Sequence, residues 1–175
     1  MTDHIAISIE TSLKGLATAQ TNGSIKAFAT TALSSLGYGS WAFACENPDS
    51  LFGNSHFSTG IPFQWLAIYL AKGYQSIDPV VMHCRTSEEP FLWDAVSDWE
   101  SATEPVRDFM RNIHANGFGS GLAIPLRSSN GTKGMLSLVK TGRLTELRGN
   151  YLQSLTDARS IGMAIHAAVE RLRSK

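Results

Sequence analysis

Two cysteines in 175 residues, Cys45 and Cys84, leave no room for a disulfide framework, and no C-x-x-C spacing suggests a zinc site. Free thiols in a reducing cytoplasm are the expectation. Long apolar runs are missing too, so no bilayer-spanning helix is expected. The N-terminus MTDHIAISIE lacks the basic start and apolar stretch of a secretory signal. Charge of one sign is absent: 15 basic residues balance 15 acidic ones, which gives no whole-chain electrostatic footprint for nucleic acid or an anionic membrane. Repeats and low-complexity segments are also lacking.

Catalytic signatures are equally scarce. Gly37-Tyr38-Gly39-Ser40-Trp41-Ala42 fits a loose G-x-G-x-x-A, but it follows a helix and opens a strand, the reverse of a dinucleotide-binding turn. In Gly117-Phe118-Gly119-Ser120-Gly121 the serine is out of register for a nucleophile elbow. His83 and Cys84 are adjacent, so their side chains diverge rather than pair, and the five histidines are scattered without metal spacing. A protein that is not an enzyme, without metal or cofactor, is expected.

What is present is ordinary globular composition: 43% hydrophobic and 17% charged residues, in a chain long enough to bury about two-thirds of its unfolded surface. One domain spanning residues 1–175 is the expectation. Thr2 to Leu13 reads as a short helix capped by Thr2 or Asp3, and Thr21 to Ser24 as a turn. Ile25 to Leu36 reads as an amphipathic helix ended by Gly37. Trp41 to Cys45 alternates as a strand, with Trp41, Phe43 and Cys45 on one face and Ala42 and Ala44 on the other. Asn47-Pro48-Asp49 is a turn, and Ser50 to Ser58 a second strand.

The most informative stretch runs from Ile61 to Trp93. Pro62 suits the first position of a helix that Gly73 stops. On it Ile61, Trp65, Ile68 and Tyr69 form an apolar stripe, with Gln64 and Lys72 toward water. Asp78 and Pro79 read as the N-cap and first position of another helix, and Trp93 follows a break at Pro90. Each residue has a plain structural explanation, since Trp and Tyr at helical spacing are more often core than site.

Farther on, Thr103 to Asn116 is a helix presenting Val106, Phe109, Met110 and Ile113, closed by Gly117. Gly121 to Leu126 and Met135 to Val139 form a hairpin across Asn130-Gly131. Thr145 to Arg173 is a long helix whose basic end suits the dipole. The pattern of elements predicts an α/β fold, an α-β-α sandwich around a mainly antiparallel sheet of about five strands. If Ala42, Ala44, Gly121, Ala123 and Ser137 share a face, that face is short of volume. Either a helix packs close to it or a cavity is left for a ligand. Ser137 is then a hydroxyl on an apolar face and needs a partner.

Taken together, Trp65, Tyr69, Asp78-Pro79-Val80 and Trp93, in the pattern W-x3-Y-x8-DP with a later Trp, resemble the autoinducer-binding domain of LuxR-type quorum-sensing regulators. Gly121 and Ser137 fit the same family, and its GAF/PAS-like architecture agrees with the predicted sandwich. The resemblance implies a buried pocket for an N-acyl homoserine lactone, a homodimer, no membrane association, and DNA binding through a C-terminal helix-turn-helix domain not present in these 175 residues. It also implies roles. Trp65 donates its indole N–H to the lactone carbonyl, and Asp78 accepts the amide N–H. Ser137 and Tyr69 serve the acyl-side oxygens. Trp93, Phe109, Ile113 and Val80 pack against the ring or chain, and Ala42 leaves room near the tail. Ile61 stands where many relatives carry a Tyr that binds the amide carbonyl. That departure keeps open a GAF/PAS-like sensor of a different small molecule. A shortened regulator acting through heterodimerisation is a further reading.

Overall fold

A computed structural model describes residues 2–46, 55–59, 61–96, 99, 101–129, 131–140 and 151–174, with backbone alone for 2–4, 55–59 and 151–153. The turn expected at 47–49, the first part of the strand expected from Ser50, and the first residues of the helix expected from Thr145 lie outside them. In chain order the elements are α1 (Thr2–Thr18), α2 (Asn22–Ser35), β1 (Ser40–Cys45), β2 (Ser55–Thr59), α3 (Phe63–Ala71), a 3-10 turn (Tyr74–Ser76) and α4 (Pro79–Thr86). They continue with β3 (Phe91–Asp94), α5 (Glu104–Ala115), β4 (Ser120–Arg127), β5 (Lys133–Lys140) and α6 (Tyr151–Arg173).

The strands form one antiparallel sheet in the order β2-β1-β5-β4-β3. Alternation then decides the two layers. Trp41, Phe43 and Cys45 of β1 join Leu122, Ile124, Leu126, Leu136 and Leu138 in one core with α1, α2 and α6. Ala123, Val139 and Trp93 face the other way, into a second core with Trp65, Tyr74, Val80, Cys84, Phe109, Met110 and Ile113. The predicted sandwich is the observed architecture, and the alternation read in β1, β4 and β5 holds.

Several local expectations change. Helix α1 runs to Thr18, past the Leu13 end read from the sequence, because Gly15 is not a break. The Phe28 ring of α2 lies against it, and a Cβ there would come within 2.4 Å of that ring. Close packing of α1 on α2 thus offsets the ~1 kcal/mol that a mid-helix glycine costs. Helix α2 starts earlier than Ile25, because Thr21 and Ser24 cap each other: Thr21 Oγ1 accepts the Ser24 N–H at 3.1 Å and Ser24 Oγ accepts the Thr21 N–H at 3.2 Å. Pro62 is the N-cap of α3 rather than its first helical residue. Ile68 is 44% exposed and leaves the predicted stripe, whereas Trp65 is buried and Ile61 and Tyr69 pack against the core. Strand β3 is not expected from the sequence, where Trp93 simply follows the break at Pro90; four residues are too few to show a period.

The basic end of α6 does more than match a dipole. Arg171 Nη2 donates to the Leu16 and Ala19 carbonyls at the end of α1, at 2.8 and 3.3 Å. Arg173 Nη1 donates to the Glu46 carbonyl just past β1, at 2.8 Å. On the outer face of α5, Glu104 pairs with Arg107 and Arg111, and Asp108 with Arg111. This leaves Phe109, Met110 and Ile113 for the interior.

Candidate functional site

The second core carries the residues singled out in the sequence. Trp65 stacks on Phe109, with ring centroids 6.4 Å apart and planes at 23°. Tyr74, which the sequence reading passed over, packs 4.9 Å from Phe109 and 6.0 Å from Trp65. Its signal was Gly73, whose φ of 64° turns the chain back after α3 so that the next residue points inward. Val80 and Ile113 are buried in the same cluster, and Ile61 packs against it.

Sheet register sets the opposite wall. Ala42, Ser137, Ala123 and Phe91 lie in one row across β1, β5, β4 and β3; Ser40, Val139, Gly121 and Trp93 form the next. The small-residue face therefore exists. At Gly121 it is filled by close approach: an added Cβ would sit 2.5 Å from the Trp93 indole. Trp93 can lie flat on the sheet only because Gly121 has no side chain.

Asp78 is the charged centre. It is 8% exposed and caps α4 as predicted, Oδ1 accepting the Val80 N–H at 2.9 Å and the Val81 N–H at 3.4 Å. Oδ2 accepts the Tyr69 hydroxyl at 2.9 Å. Burial pushes the Asp78 carboxyl above its usual range, and the bonds from Tyr69, Val80 and Val81 pull it back. The Tyr69 phenol is raised by burial and by the adjacent carboxylate, so it stays a neutral donor. The Tyr69 hydroxyl proton is thus given to the Asp78 carboxyl in this structure. Cys84, behind Asp78, is pushed up to about 12 by burial and then by that charge, and is an inert core thiol.

Two buried polar groups on the same sheet face are unspent. Trp93 Nε1 has no hydrogen-bond partner. Ser137 is 6% exposed, and its hydroxyl makes no hydrogen bond among the described residues. An unpaired buried donor costs about 1–3 kcal/mol, a cost that an acceptor reaching the Trp93 indole N–H would relieve. A pocket between α4 and the ends of β1 and β5 holds about 40 Å³, room for a few waters. Among the described residues, no group of His, Cys, Asp and Glu could hold a metal.

The family model described as "Autoinducer binding domain" matches residues 21–172. The chain belongs to this family. Among relatives, the transcriptional activator TraR of Agrobacterium vitis is 27% identical over 115 residues, 66% of this chain and 48% of TraR. AnoR of Acinetobacter nosocomialis, also a transcriptional activator, is 30% identical over 115 residues, 65% of this chain and 47% of AnoR. The chain spans about half the length of these curated relatives. In fold, this autoinducer-binding domain matches CepR2 of Burkholderia cenocepacia, described as an N-acylhomoserine lactone dependent LuxR family transcription factor. The TM-score is 0.80 at 18% identity, covering 98% of this chain and 99% of that one. It also matches SdiA of Escherichia coli, with a TM-score of 0.72 at 19% identity over 95% of this chain and 68% of SdiA. Among the described residues of the domain, no helix is long and apolar enough to cross a membrane.

Proposed function

We propose that this domain is the signal receptor of a LuxR-type quorum-sensing regulator in the cytoplasm, and that it binds an N-acyl homoserine lactone between the sheet and the layer of α3 to α5. The observation that carries this reading is the arrangement of Asp78, Ser137 and Trp93. One buried carboxylate is held by Tyr69 and the first turn of α4, and the unpaired Trp93 indole N–H and the Ser137 hydroxyl share an aromatic, otherwise apolar setting. A lactone amide offers one N–H to Asp78, and its carbonyls offer acceptors to Ser137 and the indoles of Trp65 and Trp93. Trp65, Phe109, Ile113 and Val80 enclose the apolar parts, and Ala42 and Ala123 leave the chain space along the sheet. Bound ligand becomes part of the core, which favours the dimer and its control of transcription through a DNA-binding domain. The domain acts by binding rather than by catalysis.

A different small molecule is the second reading, favoured by Ile61, which removes a hydroxyl donor from the amide side. Thermal melts against lactones of graded chain length test both. A several-degree rise with one length, much reduced in Asp78→Asn, supports the lactone reading. Asn keeps an oxygen for the Val80 N–H, so the unliganded variant should melt within a few degrees of the wild type. No shift with any lactone, in folded protein free of carried-over ligand, would sink it in favour of the second reading, which mass analysis of extracted ligand then tests.

A further inference from the structure

Helix α4 is eight residues long, about 12 Å, and buries only Val80 and Cys84. So short a helix has little stability of its own, and two buried side chains leave it free to tilt unless its ends are held. Its N-terminal end carries Asp78. Its C-terminal end is held by a residue from another element. Arg127, the last residue of β4, points Nη2 at three carbonyls there: Cys84 at 2.8 Å, Ser87 at 2.8 Å and Arg85 at 3.4 Å. Nη1 bonds the carbonyl of its own neighbour Leu126 at 2.9 Å, fixing the guanidinium plane. Lys133 of β5 adds one contact, to the Arg85 carbonyl at 3.0 Å. The guanidinium answers carbonyls that the helix cannot pair itself, and its charge meets the negative end of the helix dipole.

We propose that Arg127 is a positioning residue for the ligand-binding carboxylate: by clamping the end of α4 to the sheet, it sets where Asp78 stands at the other end. The role of Asp78 in this statement rests on the lactone reading above. The connection is mechanical and continuous. Arg127 fixes the last carbonyls, α4 transmits the position as a rigid rod, and Asp78 passes it to α3 through the Tyr69 hydroxyl. With Nη1 anchored on the Leu126 carbonyl, Nη2 meets the three carbonyls from a fixed direction, whereas a lysine ammonium has no second nitrogen to anchor it.

Two readouts on the 175-residue chain test the clamp, using Arg127→Gln and the milder Arg127→Lys. The first needs no ligand: amide hydrogen exchange at Val80 and Val81, the N–H groups bonded to Asp78, compared with Leu138 in the centre of the sheet. The expected result is exchange at Val80 and Val81 faster by roughly tenfold in Arg127→Gln, intermediate in Arg127→Lys, with Leu138 unchanged. Unchanged protection at Val80 and Val81, or a loss in step with Leu138, would overturn the proposal by making Arg127 either idle or merely structural. The second is affinity for the lactone that shifts the wild-type melt most. Arg127→Gln should weaken it about tenfold, and should weaken it no further in an Asp78→Asn background. Losses that add would show Arg127 acting by another route. Should no lactone bind the wild type, the lactone reading fails, and the exchange experiment still decides the clamp.

Discussion

Trp93 and Gly121 show how much a single pair can settle at the scale of the residue. The indole occupies the place where any Cβ at 121 would stand, so the pair behaves as one unit. Gly121→Ala should destabilise the domain by about 1–3 kcal/mol, the usual cost of overpacking. It should also move Trp93, seen as a change in near-ultraviolet circular dichroism. In a Trp93→Phe background the same change should cost measurably less, because the smaller ring can withdraw. Asp78 teaches a different lesson. Its place as a helix cap was legible from the Asp-Pro pair, but its bond to Tyr69 was not. The two residues are nine apart, and only the turn at Gly73 folds them together.

At the scale of the element, capping and burial make opposite demands on sequence reading. Thr21→Ala removes the Oγ1 that accepts the Ser24 N–H, leaves the backbone N–H of residue 21 on Ser24 Oγ, and should cost about 1 kcal/mol in chemical denaturation. The signal was local, in the Thr-x-x-Ser spacing. His166 on α6 gave no signal. It is 1% exposed, neither ring nitrogen has a hydrogen-bond partner, and its surroundings are Phe43, Gly134, Glu170, Arg173 and Arg127. Burial holds its pKa below the ordinary histidine value; Glu170 opposes that, and the two arginines add to it. The unfolded chain therefore takes up a proton near pH 6.5 that the folded chain takes up only at lower pH. Stability from this group is full above that pH and is lost as pH falls toward the folded value, by at most about 1.4 kcal/mol per pH unit. Urea denaturation of His166→Phe should show a flatter slope than wild type between pH 7 and 5.

For the whole molecule, ligand and fold are one equilibrium. If the lactone sits between the sheet and α3 to α5, stability should rise with the logarithm of its concentration, by about 2.7 kcal/mol at a hundredfold excess over Kd. For a domain of this size that is a melting shift of roughly 5–10 °C. A titration of melting temperature against concentration checks the form of the curve. A shift that saturates at one equivalent under weak-binding conditions would contradict it. The same scale explains the exposed Ile68 and the long α1. Ile68 lies on a helix of nearly continuous apolar residues, where no period says which side faces in. Gly15 signals a stop until Phe28 is known to pack on it.

The sequence by itself determined the class of fold, the inward faces of β1, β4, β5 and α5, the cap at Asp78 and the family. These follow from periods of 2 and 3.6 and from turn chemistry, which act over a few residues. Only the tertiary structure decided that Tyr69 gives its proton to Asp78, that Trp93 lies on Gly121, that Arg127 holds α4, and that His166 is sealed under the sheet. Those contacts join residues distant along the chain, most of them on different elements, and no local pattern records which of them meet.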